Sequence, residues 1–449
     1  MISDSGENFT ESVESAVYRK VTLRLLPYLF LCYILAYVDR VNVGFAKLQM
    51  QHDLGMTEAV YGLGAGIFFI GYFLFEIPAN MILQRIGARR WIGPIMIVWG
   101  VFSAMTMWVE GARSFYLIRF LLGIVESGFF PGVILYLTFW YPERHRARMV
   151  AMFMSAIPLS GVIAGPISGW IMARTSGVAN LRAWQWLFLL EGLPACVAGV
   201  VALVFLTDSP AHASWLKPAE RALLEHRLTE EKAAKALSRD THHSPMEALQ
   251  SAKIWLFGLI YFGFVMGNYA LGFWLPQLIG DTITKNPMAI GWLSVIPWGS
   301  GAVAMIVVGR HSDAIRERRM HIALSGILGA VAFAASAIPG ISGPLGLTIL
   351  TFATIGIMCA FSTFWALPTA VLSGAAASAG IAWINSVGNL AGYVGPYAIG
   401  TIQDATNSMT VALLVLAASA LLSSLITLWI VPRRDAIKVC SATGGNMTR

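Results

Sequence analysis

Leu35-Ala36-Tyr37-Val38-Asp39-Arg40-Val41-Asn42 sets an acid beside a base inside an apolar run, and Arg119-Phe120-Leu121-Leu122-Gly123-Ile124-Val125-Glu126 repeats the chemistry at a separation of seven residues. The runs around both stretches have the length of a helix that crosses a bilayer, about 20 residues. A lone Arg, Lys or Asp at the centre of such a helix opposes insertion by roughly 2.5–3.5 kcal/mol, so four facing lipid would cost around ten. They must therefore face each other, water or a ligand. Seven residues make about two helical turns, which puts Arg119 and Glu126 on one face of their helix. The two stretches read as a charged site built inside a membrane protein.

The rest of the chain demands the same solvent. Of its 449 residues 57% are apolar and 12% charged, and the mean hydropathy is +0.66, unlike a soluble domain. Apolar runs separated by charged or Gly/Pro-rich breaks lie near 25–47, 58–82, 91–109, 115–138, 149–173, 186–206, 253–279, 288–309, 321–339, 345–372, 377–400 and 409–431. The expected fold is all-α, with twelve transmembrane helices. Small-residue stretches such as Gly62-Leu63-Gly64-Ala65-Gly66 and Ser373-Gly374-Ala375-Ala376-Ala377 let helix backbones approach closely.

Basic residues set the expected orientation. With both termini in the cytoplasm, 24 of the 31 Lys and Arg fall on the inner side and five, Lys47, Arg113, Arg174, Arg182 and Lys285, on the outer side. Arg40 and Arg119 complete the count. This asymmetry accounts for the net charge of +7 without nucleic acid as a partner. The first sixteen residues carry Asp4, Glu7, Glu11 and Glu14 and no base, so the start reads as a cytoplasmic tail and not a signal peptide. The expected location is the inner (plasma) membrane, as a multi-pass monomer.

Cys32, Cys196, Cys359 and Cys440 show no paired spacing, and Cys32, Cys196 and Cys359 sit in apolar spans as small packing residues. The eight histidines fall in loops or at span edges, His242-His243 reading as a solvated pair. No metal or other cofactor is expected.

The chain divides into residues 1–206, a polar linker at 207–252 and residues 253–449, with six spans on each side of the linker. Lys217 to Lys235, with Glu220, Glu225, Glu230 and Glu231 interspersed, reads as a short amphipathic or surface helix. A basic loop of eleven residues recurs at the same place in each half: Asn80-Met-Ile-Leu-Gln84-Arg85-Ile-Gly87-Ala-Arg89-Arg90, and Gly309-Arg-His-Ser-Asp313-Ala-Ile-Arg316-Glu-Arg318-Arg319. Two copies of one pattern point to an internal duplication.

These loops resemble the recurring Gly-x-x-x-Asp-Arg-x-Gly-Arg-Arg loop of the major facilitator superfamily. The second copy keeps Gly309 and Asp313, where the first has Asn80 and Gln84. Tyr37-Val-Asp39-Arg40-Val-Asn42, Phe75-Glu76-Ile-Pro78-Ala-Asn80, Arg119 to Gly128, Trp140-Tyr141-Pro142-Glu-Arg144, Trp186 to Pro194 and Asn385 to Pro396 resemble its anion:cation symporter branch, and the tartrate and aromatic-acid permeases in particular. The resemblance covers nearly the whole chain. It implies two pseudo-symmetric six-helix bundles and a proton- or sodium-coupled carrier of organic anions.

A carboxylate carrier needs a cation to receive the anion, an acid that takes a proton, and a link between the two. Arg40 and Arg119 are the candidate receptors, because a guanidinium stays charged and meets a carboxylate in two hydrogen bonds. By resemblance, Arg40 binds the substrate carboxylate, Glu126 is the main acceptor of the driving proton, and Asp39, the second proton-coupling acid, pairs with Arg119 as a couple that changes partner. A purely structural alternative is two buried ion pairs joining spans 1 and 4, which is a costly route to stability. Glu76 and Glu191, beside Pro78 and Pro194, are expected to bond freed backbone or gate loops. The second half has no charge well inside a span. Its Asn268, Tyr269, Asn385 and Asn389, together with Tyr37 of the first half, are candidate substrate contacts, and Arg85, Arg89, Arg90, Asp313, Arg318 and Arg319 are assigned to conformational gating. No nucleophile–base or metal constellation supports an enzyme. The expected activity is proton-coupled symport of a small organic carboxylate, a tartrate-like hydroxy acid, sugar acid or aromatic acid, with sodium as the alternative ion. An exporter or exchanger of the same fold is the alternative function.

Overall fold

The computed structural model describes residues 4–237, 251–341, 343–371 and 374–431. His242-His243, Ser373, Cys440 and the basic residues from Arg433 onward lie outside the described residues, as do the side chains of Gln84 and Arg144. Among the described residues the structure is helical: α1 Asp4–Asp53, α2 Glu58–Ile86, α3 Ala88–Met105, α4 Ala112–Glu126, α5 Phe129–Thr138, α6 Glu143–Met154, α7 Ala156–Arg174 and α8 Ala183–Phe205, then α9 Pro218–Leu237 in the linker. The second half follows with α10 Ala252–Thr282, α11 Pro287–Ile315, α12 Arg319–Ser336, α13 Gly343–Phe364, α14 Ala366–Val371, α15 Gly374–Thr406 and α16 Met409–Ile430.

Three of the expected spans are broken, and each break has a local cause. Proline lacks an N–H and its ring clashes with the carbonyl four residues back. The break between α4 and α5 falls at Ser127, four residues before Pro131; that between α6 and α7 follows Met154, four before Pro158; that between α13 and α14 follows Phe364, four before Pro368. Pro27, Pro78 and Pro194 lie inside helices that run through them, so proline permits a break without dictating it.

Eleven stretches among the described residues are long and apolar enough to cross a bilayer. The 33-residue α15 stands where the eleventh span was expected and carries Asn385 and Asn389. It packs against α2 and α10, between the halves, where a polar side chain need not meet lipid. The first helix is longer than the apolar run at 25–47, because the expected tail joins it in one helix.

Packing shows the duplication directly. In the first half α1 packs on α7, α2 on α4 and α3 on α8; six spans later, α10 packs on α15, α11 on α13 and α12 on α16. Across the middle, α2 meets α15 and α7 meets α11, contacts that exchange when the halves are swapped. The fold is therefore two pseudo-symmetric six-helix bundles. The linker helix α9 lies along the start of α1, with Lys20 Nζ donating to Glu220 at 2.7 Å and Arg227 to Glu14 at 2.8 Å.

The bundles meet tightly at the end away from the basic loops. Lys47 on α1 donates to Glu58 on α2 and to Gln277 on α10, under the rings of Tyr61 and Trp274 at 4.6 and 4.7 Å. The Asp404 carboxylate of α15 accepts from the N–H groups of Glu58 and Ala59 at 3.0 and 2.8 Å, capping α2 from the other half. Gly165 and Gly291 touch backbone to backbone. At the basic-loop end a cavity of about 800 Å³ separates the halves, lined by Arg146, Met154, Asp313, Arg318 and Phe361 among others. The molecule is closed at one end and open at the other.

Two outcomes test this packing. Gly123 on α4 leaves no room for a Cβ against the Phe68 backbone of α2, so Gly123→Val should destabilise the folded protein by about 1–3 kcal/mol, read as a lower Tm in detergent. Lys47→Met removes a bond between the halves at the closed end. Spin labels at Gly55 and Thr284, in loops at that end, should then report a population at longer distance, and an unchanged distribution would show that Lys47 does not hold that end shut.

Candidate functional site

α1 runs unbroken through Asp39 and Arg40, so the two side chains leave it about 100° apart. Arg40 turns to the axis between the bundles. Its Nε donates to Glu126 Oε1 at 3.1 Å, its Nη2 donates to the same oxygen, and its Nη1 donates to the Tyr269 hydroxyl at 3.2 Å. The guanidinium lies over the rings of Tyr37, Phe68 and Tyr72 at 5.3, 5.3 and 5.4 Å, a cage whose ring faces favour a cation. Glu126 is fully buried at the end of α4, and its Oε2 has no hydrogen-bond partner. One carboxylate oxygen is thus held by the arginine while the other is left free.

This ion pair lines a central cavity shared by both halves. Tyr37, Asn268, Tyr269, Asn385 and Asn389 are in its wall, as are Tyr33, Tyr72 and Tyr261, which the sequence reading did not single out. The signal for Tyr33 was present: it stands four residues before Tyr37 and seven before Arg40, on one helix face. For Tyr72 and Tyr261 no local signal exists, since an aromatic in an apolar span faces lipid or cavity according to how its helix is rotated. Met154, Ile157 and Phe361 line both this cavity and the larger open one, so the two lie side by side.

Asp39 faces away from the cavity. Its Oδ1 accepts from Ser103 Oγ on α3 and from Asn42 Nδ2 at 3.4 Å. Arg119 is also buried and does not line the cavity. It lies over the Phe68 ring at 5.1 Å and its Nη2 reaches the Ala65 carbonyl at 3.5 Å. Asp39 and Glu126 are close enough to act on Arg119 electrostatically, yet neither forms an ion pair with it. In this conformation the structure joins Arg40 to Glu126 and leaves the expected Asp39–Arg119 pair unmade. Glu191, expected on freed backbone or a gate loop, instead accepts from Ser168 Oγ at 2.6 Å inside the first bundle. Glu76 is half-buried and outside the cavity.

Each duplicated loop sends one arginine to an equivalent helix end, from positions that differ by one residue in the register of the repeat. Arg89 donates through Nε and Nη2 to the Leu203 carbonyl of α8 at 3.1 and 2.6 Å, and Arg319 does the same to the Leu428 carbonyl of α16 at 3.2 and 2.6 Å. Each caps the C-terminus of the sixth span of its half, where unpaired carbonyls favour a cation. Asp313 is bound by Arg318, which also donates to Ser312 Oγ at 2.9 Å. Arg85 and Arg90 are exposed.

Comparison with known proteins agrees with this architecture. The profile of the Major Facilitator Superfamily matches residues 29–396. The chain is 46% identical over 421 residues to a provisionally assigned tartrate transporter of Agrobacterium vitis, covering 93% of this chain and 92% of that one. It is 40% identical to a quinolone resistance transporter of Acinetobacter baumannii, covering 92% and 94%. Its fold superposes on a crystal structure of a D-xylose–proton symporter with a TM-score of 0.71 at 14% identity, over 91% of this chain and 98% of that one. With its duplicated bundles, its two matching loops and the profile match across most of its length, the chain belongs to the Major Facilitator Superfamily.

Proposed function

We propose that this protein is a proton-coupled symporter of a small organic carboxylate, working by alternating access. The observation that carries the reading is Arg40: a caged guanidinium at the cavity between the bundles, held by one oxygen of one carboxylate and one phenol. A substrate carboxylate competes with Glu126 for the guanidinium, since the fork accommodates one carboxylate in its two-bond geometry. A displaced Glu126 stands buried without a counter-ion and takes a proton, because an unpaired charge in that setting is costly. Loss of substrate lets Glu126 return to Arg40 and release its proton. Substrate and proton thus travel together. Because Arg40 also bonds Tyr269 of the second bundle, the same exchange loosens a link between the halves and favours their rocking about the site.

The ligand is a mono- or dicarboxylate bearing hydroxyls or an aromatic ring. Tyr33, Tyr37, Tyr261 and Phe361 offer ring faces, while Asn268, Asn385 and Asn389 can bond hydroxyls. The free volume at the centre is about 60 Å³, so these side chains must part as substrate enters from the larger cavity. The tartrate assignment of the Agrobacterium relative favours the hydroxy-acid end of the range. A second reading, export by the same machinery, is favoured by the name of the Acinetobacter relative. Uptake into right-side-out and inside-out vesicles under an imposed pH gradient separates the two.

Glu126→Gln mimics the protonated acid and cannot release it, so accumulation against a gradient should be lost while exchange of labelled for unlabelled substrate survives. Arg40→Ala should lose both. Undiminished, proton-dependent accumulation by Glu126→Gln would remove Glu126 from the coupling path. Organic acids should compete with one another for uptake, and tight binding of a neutral sugar without such competition would overturn the ligand class.

A further inference from the structure

The first copy of the basic loop departs from the second in a way that transport does not use. From Asn80 to Arg90 it holds Arg85, Arg89 and Arg90 and no acid, whereas the second copy sets Asp313 and Glu317 among its bases. In the second copy Asp313 binds Arg318, and Arg319 caps α16. In the first, Arg89 caps α8 and lies 3.8 Å from Asp208. Arg85 and Arg90 are exposed and, among the described residues, make no ion pair or hydrogen bond.

Arg90 stands at the basic-loop end of an apolar cavity of about 370 Å³ between α2, α3 and α4. Phe75, Ile82 and Val98 line it and are exposed on the outside of the bundle, so the groove opens toward lipid. Ile124 and Val125 of α4 complete the wall, and among the described residues no acid does. Basic loops favour the cytoplasmic side of a bilayer, whose leaflet carries anionic lipid that basic side chains attract. A guanidinium meets a phosphate in two hydrogen bonds. Acyl chains in a bilayer are already out of water, so the groove supplies fit and the arginine supplies selectivity.

We propose that this groove is a binding site for an anionic phospholipid, with one acyl chain along α2, α3 and α4 and the headgroup phosphate on Arg90, Arg85 standing beside it. The back of the site is fixed. Trp91, also in its wall, donates through Nε1 to the Gly128 carbonyl at 2.9 Å, just past the break that follows Glu126. A lipid seated there bears on the reverse side of the helix end whose Glu126 lines the central cavity, and any effect on coupling rests on the transport reading.

The test is native mass spectrometry of the full-length protein, purified from vesicles of phosphatidylcholine and phosphatidylglycerol in equal amounts. The wild type should retain phosphatidylglycerol over phosphatidylcholine by about tenfold, the effect of one charge-assisted hydrogen-bonded pair. Arg90→Gln should abolish that preference. Val98→Trp, which fills the mouth of the groove from an exposed position, should remove the lipid with Arg90 intact, and Arg310→Gln, at an exposed arginine of the other basic loop, should change nothing. Equal retention of the two lipids by the wild type, or an undiminished preference in Arg90→Gln, overturns the proposal. A loss in Arg310→Gln as large as that in Arg90→Gln does so too, since it would mark a general attraction of surface charge. A dimer in the same spectra that carries no lipid and is lost in Val98→Trp would give the groove to a second copy of the chain, against the proposal. Should Arg90→Gln fail to fold, Val98→Trp decides, and unchanged lipid retention there overturns the site. No substrate enters the measurement, so its failure is distinct from failure of the transport reading.

Discussion

Burying charge in a medium with no water to solvate it is the constraint that organises this protein. Arg40 can sit at the centre of the molecule only because Glu126, Tyr269 and three aromatic rings surround it. Those partners come from α1, α2, α4 and α10, so satisfying one guanidinium brings helices of both bundles to a single point. A group that costs several kcal/mol unpaired is thereby made into the junction of the two halves. Anything that competes for that guanidinium acts on the junction as well.

The frame is symmetric and the chemistry is not. The main packing contacts of the first bundle have counterparts in the second, and in each half an arginine caps the sixth helix. Yet the buried acids and arginines lie in the first bundle, while the second contributes phenols and amides to the cavity. The three broken spans sit where flexibility is useful: Phe129 and Phe130 follow one break, Met154 and Ile157 flank another, and Phe361 precedes the third, and all five line the central cavity. Helices interrupted there can yield locally without the bundles coming apart.

The two ends of the molecule are held by different forces. At the closed end, helix backbones touch through glycine and are joined by Lys47 and Asp404 across the halves. At the other end the halves diverge around a wide cavity whose rim carries the duplicated basic loop of the second bundle. Each bundle is tied internally by its own capping arginine, so separation at one end need not loosen either bundle. That is the mechanical requirement for rocking as rigid bodies.

Much of this was legible in the sequence. Hydropathy alone located the spans, because a bilayer sets their length, and the repeated loop revealed the duplication, because each half must cap the same helix end. Cost identified Asp39, Arg40, Arg119 and Glu126 as charges that could not face lipid. What no local pattern could decide was partnership. Arg40 meets Glu126 across 86 positions and Tyr269 across 229, and the Asp39–Arg119 pair expected from resemblance is absent from this conformation. Glu191 looked like a proline-side residue and proved to bond Ser168 inside the first bundle. Periodicity says which residues share a face of one helix; only the packing of helices against one another rotates that face toward lipid, toward the cavity or into the bundle, and so decides which charge meets which.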